Sequence, residues 1–201
     1  NEAHNYNDMV KPFFDFDPVA YEPRNLPAWL IVDQQFLDKY LFITSVPGMK
    51  PPDWVTRAET LEGLANAIGV NAAGLAATVE RFNGFADAGV DADFRRGEST
   101  YDHFYGDPKH APNPNLGRLE KGPFYAVPMY PGSIGTKGGP RHTADAQVLG
   151  VGGAPIAGLY AAGNVAASVF GPGYPGAGAT IGAAMTFGFV AGRAAARNKQ
   201  V

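Results

Sequence analysis

Residues 158–193, GLYAAGNVAASVFGPGYPGAGATIGAAMTFGFVAGR, constrain this chain more than any other stretch. Their order predicts a short buried strand at Leu159, Tyr160, Ala161 and Ala162, then a Gly/Pro-rich loop, then a helix whose first turn is almost all small residues. A glycine-dense loop feeding a helix start lets backbone approach a ligand closely. It also aims unpaired N–H groups and the positive end of the helix dipole at negative charge. Here those groups are the N–H of Ala179, Thr180, Ile181 and Gly182, with Thr180 able to cap or donate. The loop holds one large polar side chain, Tyr174, between Gly173 and Pro175, a phenol donor projecting from a stiff turn.

The rest of the composition narrows the class. With 201 residues, 45% of them hydrophobic, 17% charged and a net charge of −3, the chain is globular and able to bury a core. It is not basic, so nucleic acid is not an expected partner. No unbroken run of about eighteen apolar residues occurs, and the most apolar stretch, 177–196, is rich in glycine, so no transmembrane segment is expected. The chain starts at Asn1 in the middle of a pattern, with no Met and no leader, and targeting is not legible from it. The absence of cysteine removes thiol chemistry, disulfides and Cys-ligated metals. Gly 26 and Pro 17 exceed a fifth of the chain, but they fall in loops between periodic segments and form no repeat, which suits a loop-rich enzyme better than disorder.

Taken in order, NEAHNYNDM is a polar loop, and Tyr6 read alone is a solvent-facing tyrosine. Residues 11–24 carry three prolines among aromatics and predict an extended connector that packs those aromatics. Trp29 to Val32 predict a buried strand, followed by a turn and a short element; Asp33, Asp38 and Lys39 read as surface or turn charges. Trp54 reads as a packing residue. Two helices follow: Thr60 caps Leu61, Leu64, Ala65 and Ile68 up to Gly69, and Asn71 caps Leu75, Val79, Phe82 and Ala86 up to Gly89. Within residues 91–115, Arg95, Arg96, His103 and His110 fit no ligand spacing and read as a solvated face; Tyr101, Phe104 and Tyr105 could line a passage. GPFYAVPM predicts an edge or crossing strand interrupted at Pro128. GSIGTKGG is a second glycine-dense loop, open to reading as close approach to a ligand or as a hairpin. Residues 145–157 predict a hairpin turning at Gly150 to Gly153. GVGGAP lacks the preceding strand and following helix of a dinucleotide fingerprint.

NEAHNYNDM, FYGDP, NPNL, KGPFYAV, GTKGG, GLYAAGN and YPGAGATIGAAMTFG together span the chain. The chain resembles the C-terminal segment of the flavin-dependent 3-ketosteroid Δ1-dehydrogenases, within the fumarate-reductase-like flavoproteins. The resemblance implies an α+β fold. Residues 1–136 would form most of a substrate domain with a mixed sheet and helices, and 137–201 the C-terminal strand-loop-helix of a Rossmann-like FAD-binding domain. With no phosphate loop in this chain, the N-terminal FAD-binding half of the same flavoprotein is expected to precede it or to be another chain. The cofactor implied is FAD, the substrate a 3-ketosteroid, and the electron acceptor a quinone or another carrier. The setting implied is bacterial steroid degradation in the cytoplasm, with membrane association left open.

The family's roles carry over residue by residue. Tyr6 matches the base. Tyr174 hydroxyl and the Gly178 N–H match the donors to the ketone oxygen. Gly138, Gly139, Gly163, Asn164, Ala179, Thr180 and Ile181 match cofactor-binding positions, Asn164 toward the ribityl or phosphate region. A helper tyrosine would lie in the other half. No metal is implied. A fumarate or succinate enzyme would show an HTMGG histidine and an arginine before the last helix, where this chain has GTKGG and Tyr174. A Δ4-ketosteroid enzyme, a dehydrogenase of another flat cyclic ketone, and a non-catalytic binding module remain open.

Overall fold

In KGPFYAVPM apolar side chains occupy both phases of the alternation, which a strand tolerates only when both faces are covered. In the computed structural model, which describes residues 4 and 8–198, this segment is such a strand. The chain divides into two units, Asn1–Pro131 and Gly132–Val201. The first runs α1 (Val10–Phe13), β1 (Phe16–Asp17), β2 (Glu22–Pro23), β3 (Ala28–Asp33), α2 (Gln34–Lys39), β4 (Thr56–Ala58), α3 (Leu61–Ile68), α4 (Ala72–Ala88), α5 (Thr100–Tyr105) and β5 (Phe124–Met129). The architecture is mixed α/β.

β5 is the centre of a three-stranded sheet, antiparallel to β3 and β4, with Ile31 opposite Ala126 and Arg57 opposite Tyr125. The pleat sends Tyr125 and Val127 to a cluster with Val32, Leu37, Phe42 and Val55. It sends Phe124 and Ala126 to a second, with Leu64 and the partly buried Trp29, Ile31, Leu61 and Ile68. The expectation of an edge or crossing strand is therefore corrected. Pro128 pairs with Trp29 but lies beyond the reach of β4, whose last partner is Ala126, so its missing N–H interrupts no ladder on that side.

The helix caps form as the sequence predicts. Thr60 Oγ1 accepts from Gly63 N–H at 3.0 Å and Asn71 Oδ1 from Gly74 N–H at 2.7 Å, while Gly69 and Gly89 end their helices in the left-handed region. The aromatics of the proline-rich connector do not pack as expected. Phe13 is buried, but Phe14, Phe16 and Tyr21 are exposed, because the two-residue strands β1 and β2 make too small a ribbon to cover them. Trp54 is exposed as well.

Asp33, read as a surface or turn charge, is in fact buried, and so are Asp91 and Asp102 in the region read as a solvated face. Asp33 caps α2 and accepts N–H bonds from Phe36, Glu120 and Lys121 at 3.0–3.2 Å, which ties the approach to β5 onto the end of β3. Asp91 accepts from the N–H of Asp93 and Phe94 and from Arg96 Nε at 2.5 Å; the Arg96 guanidinium lies over the rings of Phe82 and Phe94. Asp102 closes a capping box with Ser99 and accepts from Gly97 N–H and His4 Nε2, the latter at 2.9 Å. Arg95, paired with Glu98, and the exposed His103 keep the solvated character expected of the region. Convergent donors make these burials tolerable.

The second unit contains β6 (Gln147–Leu149), β7 (Pro155–Tyr160), a 3-10 turn (Gly163–Val165) and α6 (Ala179–Asn198). β6 and β7 form the expected antiparallel hairpin, closed by Gly150 N–H to Ala154 O at 2.8 Å and Gly153 N–H to Gly150 O at 2.9 Å. The core here is small: Val148, Ala161 and Ala166. The strand expected to be buried at 159–162 ends at Tyr160 and is largely exposed, because β6 is its only strand neighbour among the described residues. Along α6, Ile181, Met185 and Phe189 form an exposed i, i+4, i+8 row. This 20-residue helix is long and apolar enough, by length and composition alone, to cross a membrane. The expectation to the contrary demanded an unbroken apolar run, whereas Gly182, Gly188 and Gly192 break the run and barely lower its average.

Leu64 is fully buried under the sheet, so Leu64→Ala should lower unfolding free energy by about 2–5 kcal/mol, measured by urea denaturation. For Asp91 and Asp102, burial pushes the carboxyl up, but Arg96 and the Phe94 N–H, and His4 with Ser99, hold each below the usual carboxylate range. A group depressed in this way adds stability that is fully present above its unfolded value of about 3.9 and is lost as pH falls through the folded value. The urea midpoint should therefore hold from neutrality to about pH 5 and decline below about pH 4. Asp91→Asn should lower the neutral midpoint and flatten the acid decline; an unchanged pH profile would contradict the assignment.

Candidate functional site

The second unit brings two glycine-dense segments together. The Gly138 N–H donates to Asn164 O at 3.0 Å, and the Ala167 N–H to Pro140 O at 3.0 Å, so residues 138–140 lie along the 3-10 turn. At Gly139 a Cβ would sit 1.8 Å from the Val165 carbonyl oxygen, an approach open to glycine alone. The close approach expected of Gly139 is thus to the chain's own backbone. Gly138, at φ 145°, has open space where a Cβ would project, and it is the glycine of the pair that presents its face outward. His142 packs edge-on against Phe187 of α6 at 4.9 Å between ring centroids, fixing the helix to the same loop.

From this base Lys137 reaches across to the loop that precedes α6. Its Nζ donates to Ser168 Oγ at 3.0 Å, Gly171 O at 2.9 Å and Gly173 O at 2.7 Å, which uses all three N–H of the ammonium. Tyr174 follows directly, 41% exposed, on a loop whose turns at Gly171, Gly176 and Gly178 all need positive φ. Sequence reasoning missed Lys137, naming it only as part of the GTKGG that stands where a fumarate enzyme would show HTMGG. The signal was present: a lone long cation inside GTKGG, amid residues with no side chain able to compete for it.

At the helix start the expected set of free donors is halved. Ala179 N–H donates to Gly176 O at 3.2 Å and Gly182 N–H to Gly178 O at 2.7 Å. Among the described residues none accepts from the N–H of Gly178, Thr180 or Ile181, which leaves these three aimed outward at the positive end of a 20-residue helix. Thr180 lies inside the first turn, so it does not take the cap position. Gly163, Asn164, Ala179 and Thr180 line one cleft with Lys137. Its free space, about 20 Å³, admits a single water.

Tyr6 lies outside the described residues. His4, nearby in sequence, is held by the buried Asp102. Of the aromatics proposed to line a passage, Tyr105 borders a groove of about 670 Å³ in the first unit with Phe36, Tyr40 and Phe82. Phe104 is exposed, and neither it nor Tyr101 lines that groove. No group of metal-ligating side chains occurs among the described residues.

Comparison with known proteins places these features in context. The chain is 52% identical over 174 residues to 3-oxosteroid 1-dehydrogenase of Mycolicibacterium smegmatis, covering 84% of this chain and 31% of the relative. It is 48% identical over 194 residues to 4-oxocyclohexanecarboxylate 2-dehydrogenase of Sinomonas cyclohexanicum, covering 96% of this chain and 34% of the relative. Among solved structures it is similar to 3-ketosteroid Δ1-dehydrogenase of Sterolibacterium denitrificans in complex with 1,4-androstadiene-3,17-dione. That match has a TM-score of 0.79 and 46% identity, and covers 86% of this chain and 32% of that one. The chain thus spans about a third of the length of these relatives. The FAD binding domain model matches residues 5–181, across both units. On that match, the chain belongs to the FAD binding domain family.

Proposed function

We propose that this chain forms part of an FAD-dependent dehydrogenase that introduces a double bond beside a ring ketone, with C1–C2 of a 3-ketosteroid as the bond desaturated. The observation that carries this reading is the braced loop. It carries Tyr174 and Gly178 into a helix start whose Thr180 and Ile181 N–H groups have no acceptor among the described residues, which supports reading the phenol and the Gly178 N–H as ketone donors.

The residues present fit FAD. Gly138 offers an open backbone face, and the outward N–H groups of α6 suit the negative charge of a reduced isoalloxazine. Asn164, beside Gly163 in the 3-10 turn, suits the ribityl or phosphate end. When bound, FAD supplies the oxidising capacity for removal of two electrons from the substrate. The chain's own contribution is acid–base. Tyr174 and Gly178 donate to the ketone oxygen and stabilise the charge that develops there, which acidifies the neighbouring C–H. Tyr6, assigned on the resemblance, accepts that proton, and as a phenol with a reference pKa of about 10 it needs its ionised form favoured by neighbours.

The finer architecture belongs to the same proposal. β7, the 3-10 turn and α6 are the last strand-loop-helix of a Rossmann-like FAD-binding domain, and residues 1–136 are most of its substrate domain. The exposed face of β7 and the Ile181, Met185, Phe189 row are then covered by the preceding part of the flavoprotein, which favours a cytoplasmic enzyme over a membrane-spanning one.

Two observations rank the substrates. The solved relative holds a steroid dienone, which supports the steroid. The 4-oxocyclohexanecarboxylate enzyme matches 96% of this chain, which supports a smaller cyclic ketone as the second reading. Anaerobic mixing of the full-length flavoprotein with a 3-ketosteroid should bleach the flavin. Bleaching by 4-oxocyclohexanecarboxylate alone would select the second reading, and bleaching by succinate alone would refute both. Tyr174→Phe should keep its flavin and lose about a hundred- to a thousand-fold in turnover; full activity would remove Tyr174 from the mechanism. Gly139→Ala forces the 137–140 loop off Val165 and should lower the FAD content of purified protein, read from its visible absorbance.

A further inference from the structure

We infer that Lys137 is a positioning residue for the ketone site: its ammonium fixes the loop that aims Tyr174. The inference rests on the proposed role of Tyr174 and extends it to a residue two segments away in sequence.

Three acceptors converge on one nitrogen. The carbonyls of Gly171 and Gly173 and the hydroxyl of Ser168 all point at Lys137 Nζ within 3.0 Å. All three belong to the six residues before Tyr174. Two backbone carbonyls and a hydroxyl converge where an ammonium can bond all three at once, and it has three N–H and no competing acidic partner among its bonds. Ser168 is further tied in, since its Oγ accepts from the Phe170 N–H at 3.2 Å and its carbonyl from the Gly171 N–H at 3.1 Å.

The lysine itself is anchored. Gly138 is bonded to Asn164 and Gly139 is packed against Val165, so the backbone immediately after Lys137 cannot shift without breaking the 3-10 turn. Lys137 is partly buried while Ile134, Gly135 and Thr136 before it are exposed, so its side chain turns inward from an otherwise open loop. The line of constraint runs from the turn at Gly163–Val165 through Gly139 and Lys137 to the Gly171 and Gly173 carbonyls, and ends at Tyr174. Without the ammonium, those carbonyls rotate toward water and a glycine-rich loop regains its freedom. A displacement of about 1 Å in a positioned donor costs on the order of a hundred-fold in rate.

The test uses the full-length flavoprotein with Lys137→Met, Lys137→Arg, Tyr174→Phe and the double variant Lys137→Met/Tyr174→Phe. Lys137→Met should retain flavin and slow turnover of a 3-ketosteroid by about ten- to a hundred-fold. It should also speed amide hydrogen exchange selectively across residues 170–174. Lys137→Arg should recover part of both. The double variant should be slowed by less than the product of the two single losses, because with the phenol gone the brace has only the Gly178 N–H left to aim. Multiplicative losses in the double variant, or unchanged exchange at 170–174, would overturn the inference. Should Lys137→Met fail to hold flavin, Ser168→Ala, which removes one acceptor of three, should give a smaller slowing with the same non-additivity; additive loss there would overturn it equally. If Tyr174→Phe itself proves fully active, the ketone assignment fails. The exchange measurement then decides the brace alone: faster exchange in Lys137→Met upholds it and unchanged exchange refutes it.

Discussion

The carbonyl oxygen of Val165 stands 1.8 Å from where a side chain at position 139 would begin. That single exclusion organises the second unit. It presses the 137–140 loop onto the 3-10 turn, sets the origin from which Lys137 reaches the Tyr174 loop, and leaves the neighbouring Gly138 with its face open. The bonds that follow are individually modest, each about 1 kcal/mol for neutral partners and somewhat more for the ammonium. Their effect comes from convergence on backbone that would otherwise have little to hold it, since the core of this unit is three small or medium side chains.

The first unit is held differently. Its sheet is covered on both faces by apolar clusters, and its loops are tied by buried carboxylates that collect backbone N–H groups. Asp33 joins the start of α2 to residues 120 and 121, and Asp102 joins α5 to His4. These bonds let a proline- and glycine-rich chain keep long irregular segments in fixed positions, a requirement for any enzyme that presents functional groups from loops.

How far the sequence disclosed this depended on range. Caps and helix ends were legible because Thr60, Asn71, Gly69 and Gly89 act on neighbours within four residues. The hairpin at Gly150 to Gly153 was legible for the same reason. Two of the buried aspartates were not: Asp33 finds partners 87 and 88 positions away, and Asp102 finds His4 at a separation of 98. Asp91 bonds within five residues and was missed because the neighbouring arginines were read as a solvated face. The central place of β5 was hidden by Pro128, which argues against a central strand only where both flanks are paired at that residue, and β4 ends its pairing at Ala126. At the candidate site, the glycines and Tyr174 were assigned through their resemblance to a family of flavoproteins. The difference between Gly138 and Gly139, the use of the Ala179 and Gly182 donors by the turn, and the three bonds of Lys137 required coordinates.

The relatives fit the physical picture at the level of shared chemistry. The relatives' names specify dehydrogenation at a position two carbons from a ring ketone, and a phenol with a main-chain amide is suited to polarising such a ketone without charge. The most direct measurement is the infrared carbonyl stretch of a 13C-labelled 3-ketosteroid bound to the full-length flavoprotein. The account predicts a stretch shifted to lower frequency than in water, with most of that shift lost in Tyr174→Phe. A frequency equal to that in water, or a shift that survives the substitution intact, would contradict it.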